Sequence, residues 1–169
     1  VHPTYQAKQF RAVDIAYGDS LYSMTILLPH KEASVQELID SLNTETWTQV
    51  TEGLAPQSLS RLQMPKFTLR YEKTLNDVLT DLGMGVAFTK RANFRDIADT
   101  SLAIDKVKHK TFLQVDEEGT EASAATSVGI RVTSTPPTFI VDRPFVVAIR
   151  EHHSGTILFL GTVMDPTAG

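Results

Sequence analysis

The alternation of apolar and polar positions divides the chain into extended and helical stretches. Residues 10–17 predict a strand, Gly18-Asp19 a tight turn, and residues 21–28 a second, more apolar strand closed by Pro29. Ser34 stands three places before Glu37, the spacing of a capping box, and Leu38, Ile39 and Leu42 then share one helical face. A second short helix is expected over residues 44–52, around Trp47, with Gly53 as its stop. Residues 59–71 read as extended chain, and Pro65 inside them marks an edge or a bend. Leu75, Val78, Leu79 and Leu82 recur at helical spacing before Gly83. The longest extended candidate is 102–116, and residues 142–150 and 156–163 form two more strands around a turn at Ser154-Gly155. No internal repeat occurs. The class is α+β, with more strand than helix in the second half.

Residues 117–137 stand apart. From residue 119 to 127 no side chain is larger than threonine except Glu121. A connection of that length without structure is functional or disordered, and by composition a flexible linker of small residues fits equally well. The order of the residues adds a second signal. One alternate set is Thr120, Ala122, Ala124, Thr126, Val128, Ile130 and Val132; the other is Glu121, Ser123, Ala125, Ser127, Gly129 and Arg131. The branched aliphatics fall in the first set and the charges in the second. That is the period of a strand with one dry face and one wet face.

Composition narrows the function classes. The chain has 169 residues, 41% hydrophobic and 21% charged, as in globular proteins. Its net charge of −4 gives no basic footprint for nucleic acid or an anionic membrane. No apolar run approaches the roughly 18 residues of a membrane-spanning helix. Cysteine is absent, which excludes disulfides and thiol nucleophiles and leaves the redox compartment open. Val1-His2-Pro3-Thr4-Tyr5 carries no basic-then-apolar leader pattern.

Enzyme chemistry is not apparent. Gly18-Asp19-Ser20 lacks the second glycine of a nucleophile elbow, and Gly83-Met84-Gly85 is followed by Phe88 where a dinucleotide loop needs glycine. On a strand, His152 and His153 point to opposite faces and cannot chelate one metal as a pair. The expectation is no catalytic residue, no metal and no cofactor: not an enzyme.

Three segments carry a resemblance. Glu117-Glu118-Gly119-Thr120-Glu121-Ala122-Ser123-Ala124-Ala125-Thr126 resembles the hinge of inhibitory serpins. Residues 139–149, Phe-Ile-Val-Asp-Arg-Pro-Phe-Val-Val-Ala-Ile, are similar to the serpin signature, and Leu158-Phe159-Leu160-Gly161-Thr162-Val163-Met164-Asp165-Pro166 is similar to the family's C-terminal strand and ending. Met64-Pro65-Lys66-Phe67 and His109-Lys110 also have family counterparts. The resemblance spans the chain.

It implies the C-terminal part of a single serpin domain over residues 1–169. Two strands of the large sheet A are expected near 60–71 and 102–116, with parts of sheets B and C and a few short helices. Residues 117–137 would be the reactive-centre loop, with its hinge at 117–126. A serpin is more than twice this long, so an N-terminal portion, absent from this chain, is an expected partner. The implied function is suicide-substrate inhibition of serine proteases, elastase-like or trypsin-like, with cysteine proteases as further targets and a secreted or extracellular setting. The alternative is a non-inhibitory carrier or chaperone. The family's register places the reactive bond at Thr133-Ser134, with Arg131-Val132 as the alternative. Lys66 and Glu117 match a salt bridge at the top of the large sheet, and His109 matches a histidine beneath its opening region. Neither nucleic acid nor a membrane is an expected partner.

Overall fold

Three strand pairs explain how the chain begins. β1 (His2–Gln6), β2 (Phe10–Ala16) and β3 (Tyr22–Pro29) run antiparallel in sequence, and β4 (Ala55–Gln57) adds to the free edge of β1. The last two strands, β9 (Phe145–Glu151) and β10 (Ile157–Val163), form a hairpin whose first strand pairs with β3. The resulting six-stranded sheet has the order β10-β9-β3-β2-β1-β4. The computed structural model describes residues 1–116 and 136–166. The described residues form two compact units, one of residues 1–67, 115–116 and 136–166 and one of residues 68–114.

Pairing of Ala12 with Leu27, and of Leu27 with Val146, sets these side chains on one face of the sheet. Two helices cover that face: α1 (Val35–Ser41) and α2 (Thr44–Gly53). Val35, Leu38 and Val50 pack with Phe10, Ala12, Leu27 and Val146 into one buried cluster. Each large aliphatic side chain withdrawn from water contributes about 1.5–3 kcal/mol, so this cluster and the buried opposite face hold the unit together. On that opposite face Phe67 meets Phe145 edge-on at 5.6 Å.

The capping box forms as expected: Ser34 Oγ accepts from the Glu37 amide, and the Glu37 carboxylate accepts from the Ser34 amide. Gly53 is the last residue of α2, with Leu54 turning extended after it, and its lack of a side chain has a reason the sequence does not show. A Cβ there would stand 2.6 Å from two ring carbons of Tyr5, so this close approach to β1 requires a residue without a side chain.

The extended run expected over 59–71 splits into β5 (Arg61–Gln63) and β6 (Phe67–Thr74), which join different two-stranded sheets. Pro65 lies between them and has no amide to give to either ladder. β5 pairs in parallel with β8 (Thr138–Ile140).

In the second unit β6 pairs with β7 (Lys108–Val115). Leu75 bonds Val107, Glu72 pairs with Lys108, and Arg70 lies over Phe112; positions fall on one strand as they rise on the other, so the pair is antiparallel. β7 begins six residues later than the expected 102. Asn76 explains the delay: its amide donates to the Asp105 carbonyl at 2.8 Å and accepts from the Val107 amide at 2.9 Å, taking backbone groups that a ladder would need. Asn76 also opens the short helix α3 (Asn76–Leu79). Gly83 takes a φ of 95° but does not end the helical path. A π turn, Thr80–Met84, leads into a 3-10 turn, Gly85–Phe88.

No residue from 68 to 114 is buried. Leu82 is 75% exposed, Ile97 77% and Phe112 52%. A β pair with apolar side chains and no dry core is not an independently stable arrangement.

Candidate functional site

The segment singled out by its alternation lies between β7 and β8. Glu117, Gly119, Thr120, Ala122, Ser123, Ala124, Ala125 and Thr126, together with Arg131, Val132, Thr133 and Ser134, fall outside the described residues. What the structure describes is how its two ends are held.

At the upstream end Val115 is buried. Downstream, β8 has only three residues, and a three-residue parallel ladder is a weak attachment. Side chains supplement it. The Ser60 hydroxyl donates to the Pro136 carbonyl at 2.8 Å, and the Ser60 amide donates to the Pro137 carbonyl at 3.0 Å. Arg11, from β2, donates to the carbonyls of Thr138 at 2.9 Å and Ile140 at 3.3 Å. Its guanidinium also lies 4.3 Å from the ring centroid of Phe139, and Phe139 is buried. The Val141 amide closes the clasp on the Gln63 carbonyl at 2.9 Å. Chain breakage upstream would leave residue 136 onward attached.

Sequence reasoning missed Arg11 and Ser60 altogether. Both act on backbone carbonyls, and an acceptor present in every residue leaves no spacing signature.

The remaining candidates are placed as follows. Lys66 is exposed between β5 and β6; its expected partner Glu117 lies outside the described residues. His109 is exposed on β7, with Nε2 2.8 Å from Thr111 Oγ1 and its ring 6.3 Å from that of Tyr71. Nearby, Lys108 and Lys110 both reach Glu72 at 2.9 Å and hold its carboxyl below the usual range.

His152 and His153 lie in the turn after β9 rather than on a strand, so the expected opposition of faces does not arise. His152 Nε2 is 3.5 Å from Asp14 Oδ2. Asp14 is buried, accepts from Ser23 at 2.9 Å and Thr25 at 2.5 Å, and stands 3.4 Å from the Arg150 guanidinium. This network fills the polar end of the helix-covered face; removing one member of such a buried pair costs about 3–5 kcal/mol. The His153 amide instead donates to Glu151. Among the described residues no group of three or more His, Asp or Glu could hold a metal ion, and no helix is long and apolar enough to cross a membrane.

Glu151 fastens the β9–β10 hairpin. The Ser154 hydroxyl, the Ser154 amide and the His153 amide, in that order of effect, lower its pKa from 4.5 to about 2. A depressed carboxyl stabilises the fold above its unfolded pKa, and that contribution disappears as pH falls through the folded value. Replacing Glu151 with glutamine is therefore expected to lower the melting temperature at pH 7, and the gap to wild type closes between about pH 4.5 and 2. Melting curves of both proteins across that range check it; a gap independent of pH would refute the assignment.

Residues 2–166 match the family model described as serpin, serine protease inhibitor. The chain belongs to the serpin family. Serpin-Z2A of Triticum aestivum is 35% identical over 156 residues, covering 86% of this chain and 39% of that protein. Heparin cofactor 2 of Rattus norvegicus is 35% identical over 144 residues, 85% of this chain and 30% of that one. Among solved structures, the thermophilic serpin tengpin in its native state superposes with a TM-score of 0.76 at 31% identity, over 97% of this chain and 44% of tengpin. Native protease nexin-1 with heparin gives 0.81 at 28% identity, over 98% and 45%. The chain thus spans less than half the length of each of these serpins. Its α+β fold is a serpin fold in part.

Proposed function

We propose that the protein acts as a suicide-substrate inhibitor of serine proteases, through cleavage at Thr133-Ser134 and insertion of residues 119–133 into the large sheet beside β7. The alternation of Thr120 through Val132 carries this reading. It lets one set of side chains enter a sheet's dry face while Glu121 and Arg131 stay in water. A lone charge in the inward set would cost several kcal/mol, whereas Val128, Ile130 and Val132 together contribute about 5–9 kcal/mol on burial. The clasp of Ser60 and Arg11 complements it, because only the cut upstream arm is left free to move. The attached protease travels with that arm, so the step that would release it fails.

The exposed apolar side chains of residues 68–114, and of Leu158, Leu160 and Met164 around β10, are the surface that an N-terminal portion corresponding to the rest of the relatives would cover. Arg131-Val132 offers trypsin-like enzymes a second bond, two residues earlier, with a correspondingly shorter inserted strand. The test is incubation of the full-length protein with an elastase-like and a trypsin-like protease. A band that survives denaturing electrophoresis, at the summed mass of protease and inhibitor fragment, is expected with at least one. Clean cleavage at Thr133-Ser134 with no such band would favour the carrier or chaperone reading.

A further inference from the structure

The clasp on β8 opens onto a cleft of about 480 Å³ lined by Arg11, His30, Lys31, Asp142 and Arg143 among others, a size that accommodates a small ligand. Its lining carries three basic side chains, Arg11, Lys31 and Arg143, against two acidic ones, Glu32 and Asp142. Arg11 makes two hydrogen bonds, both to backbone carbonyls, of the five its guanidinium can donate, and its buried Nε has no partner. Arg143 donates Nε to the Pro29 carbonyl at 2.9 Å and pairs with Asp142 at 2.5 Å, so the one carboxylate bound to either arginine is already engaged. Lys31 is exposed, and Glu32 is the other acid of the lining.

We propose that this cleft is a binding site for a small multidentate anion, a free carboxylate or oxyanion, held chiefly by Arg11 and Arg143 beside the fixed end of the 117–135 segment. A planar or tetrahedral anion presents the paired acceptors that a guanidinium fork binds at two points. It also answers the crowding of like charge: burial first, and then the positive charge of Arg143, lower the pKa of Arg11, with Asp142 only partly offsetting them. The ligand would share Arg11 with the carbonyls of Thr138 and Ile140 and so bind where β8 is anchored. Nothing in this site depends on protease inhibition.

Calorimetric titration of the full-length protein with inorganic phosphate and with citrate, at constant ionic strength, tests the proposal. One-site saturation is expected with at least one of them and none with chloride. Arg143→Gln should weaken binding about tenfold or more, as loss of a charge-assisted bond does. Since Arg143 also holds Pro29, Lys31→Gln provides a second variant that leaves the fold alone; its exposed charge should be worth a few-fold in affinity. Absence of saturable binding by both anions, or binding that neither variant alters, overturns the assignment.

Discussion

Replacing Thr120 with arginine should abolish covalent protease trapping while leaving cleavage at Thr133-Ser134 intact. The inhibitor then behaves as a substrate. Thr120 opens the alternate set that contains every branched aliphatic of the segment, so arginine there must carry a charge into the sheet's dry face. A penalty of about 3 kcal/mol felt during insertion slows it roughly 100-fold, long enough for the acyl-enzyme to be hydrolysed. Glu121→Arg is the control that gives the result meaning. It places the same side chain one residue later, in the wet set, and should keep trapping within a few-fold of wild type. Ala122→Pro should fail as Thr120→Arg does, since it removes a ladder donor. Quantifying the ratio of covalent complex to cleaved inhibitor separates these outcomes. If Thr120→Arg and Glu121→Arg trap equally well, insertion with alternating faces is wrong.

Much of the framework could be read before the structure. The strand pair at 10–28, the capping box at Ser34 and Glu37, and the final hairpin obey local rules whose reasons lie within a few residues of each other. The start of β7 could not be read in this way. Residues 102–107 have strand composition, yet Asn76, some thirty residues away, takes their backbone bonds. The first strand β1 was invisible for a related reason: His2–Gln6 has no clean alternation and is a strand because β2 and β4 flank it. The clasp on β8 is the functional counterpart. The signature at 139–149 is a pattern of side chains and was legible as such, whereas Arg11 reaches across 127 residues to a carbonyl.

Two features of the chain acquire one explanation under the inhibitor reading. Residues 68–114 bury nothing, and β10 leaves Leu160 62% exposed. Meanwhile the β2–β3–β9 centre is as dry as any protein interior, with Val13, Ile26 and Phe145 at 0% exposure. The exposed side chains of residues 68–114 and of β10 are the surface that the N-terminal portion proposed above would cover, whereas the dry β2–β3–β9 centre already carries the clasp on β8.

That division sets the second large effect. Nicking the full-length protein at Thr133 should raise its melting temperature, by on the order of 10 °C. An ordinary nick acts in the opposite direction, since a cut loop gains freedom in the unfolded chain and gives the fold nothing back. The rise comes from burial of Val128, Ile130 and Val132 and from backbone bonds made on both edges of the new strand. The same nick in the Thr120→Arg protein should produce little or no gain, because the charge opposes the very state that is stabilised. Calorimetry of the four proteins, wild type and variant, intact and nicked, measures this directly. Equal melting of intact and nicked wild type would leave the 117–135 segment a linker between β7 and β8, however well its residues alternate.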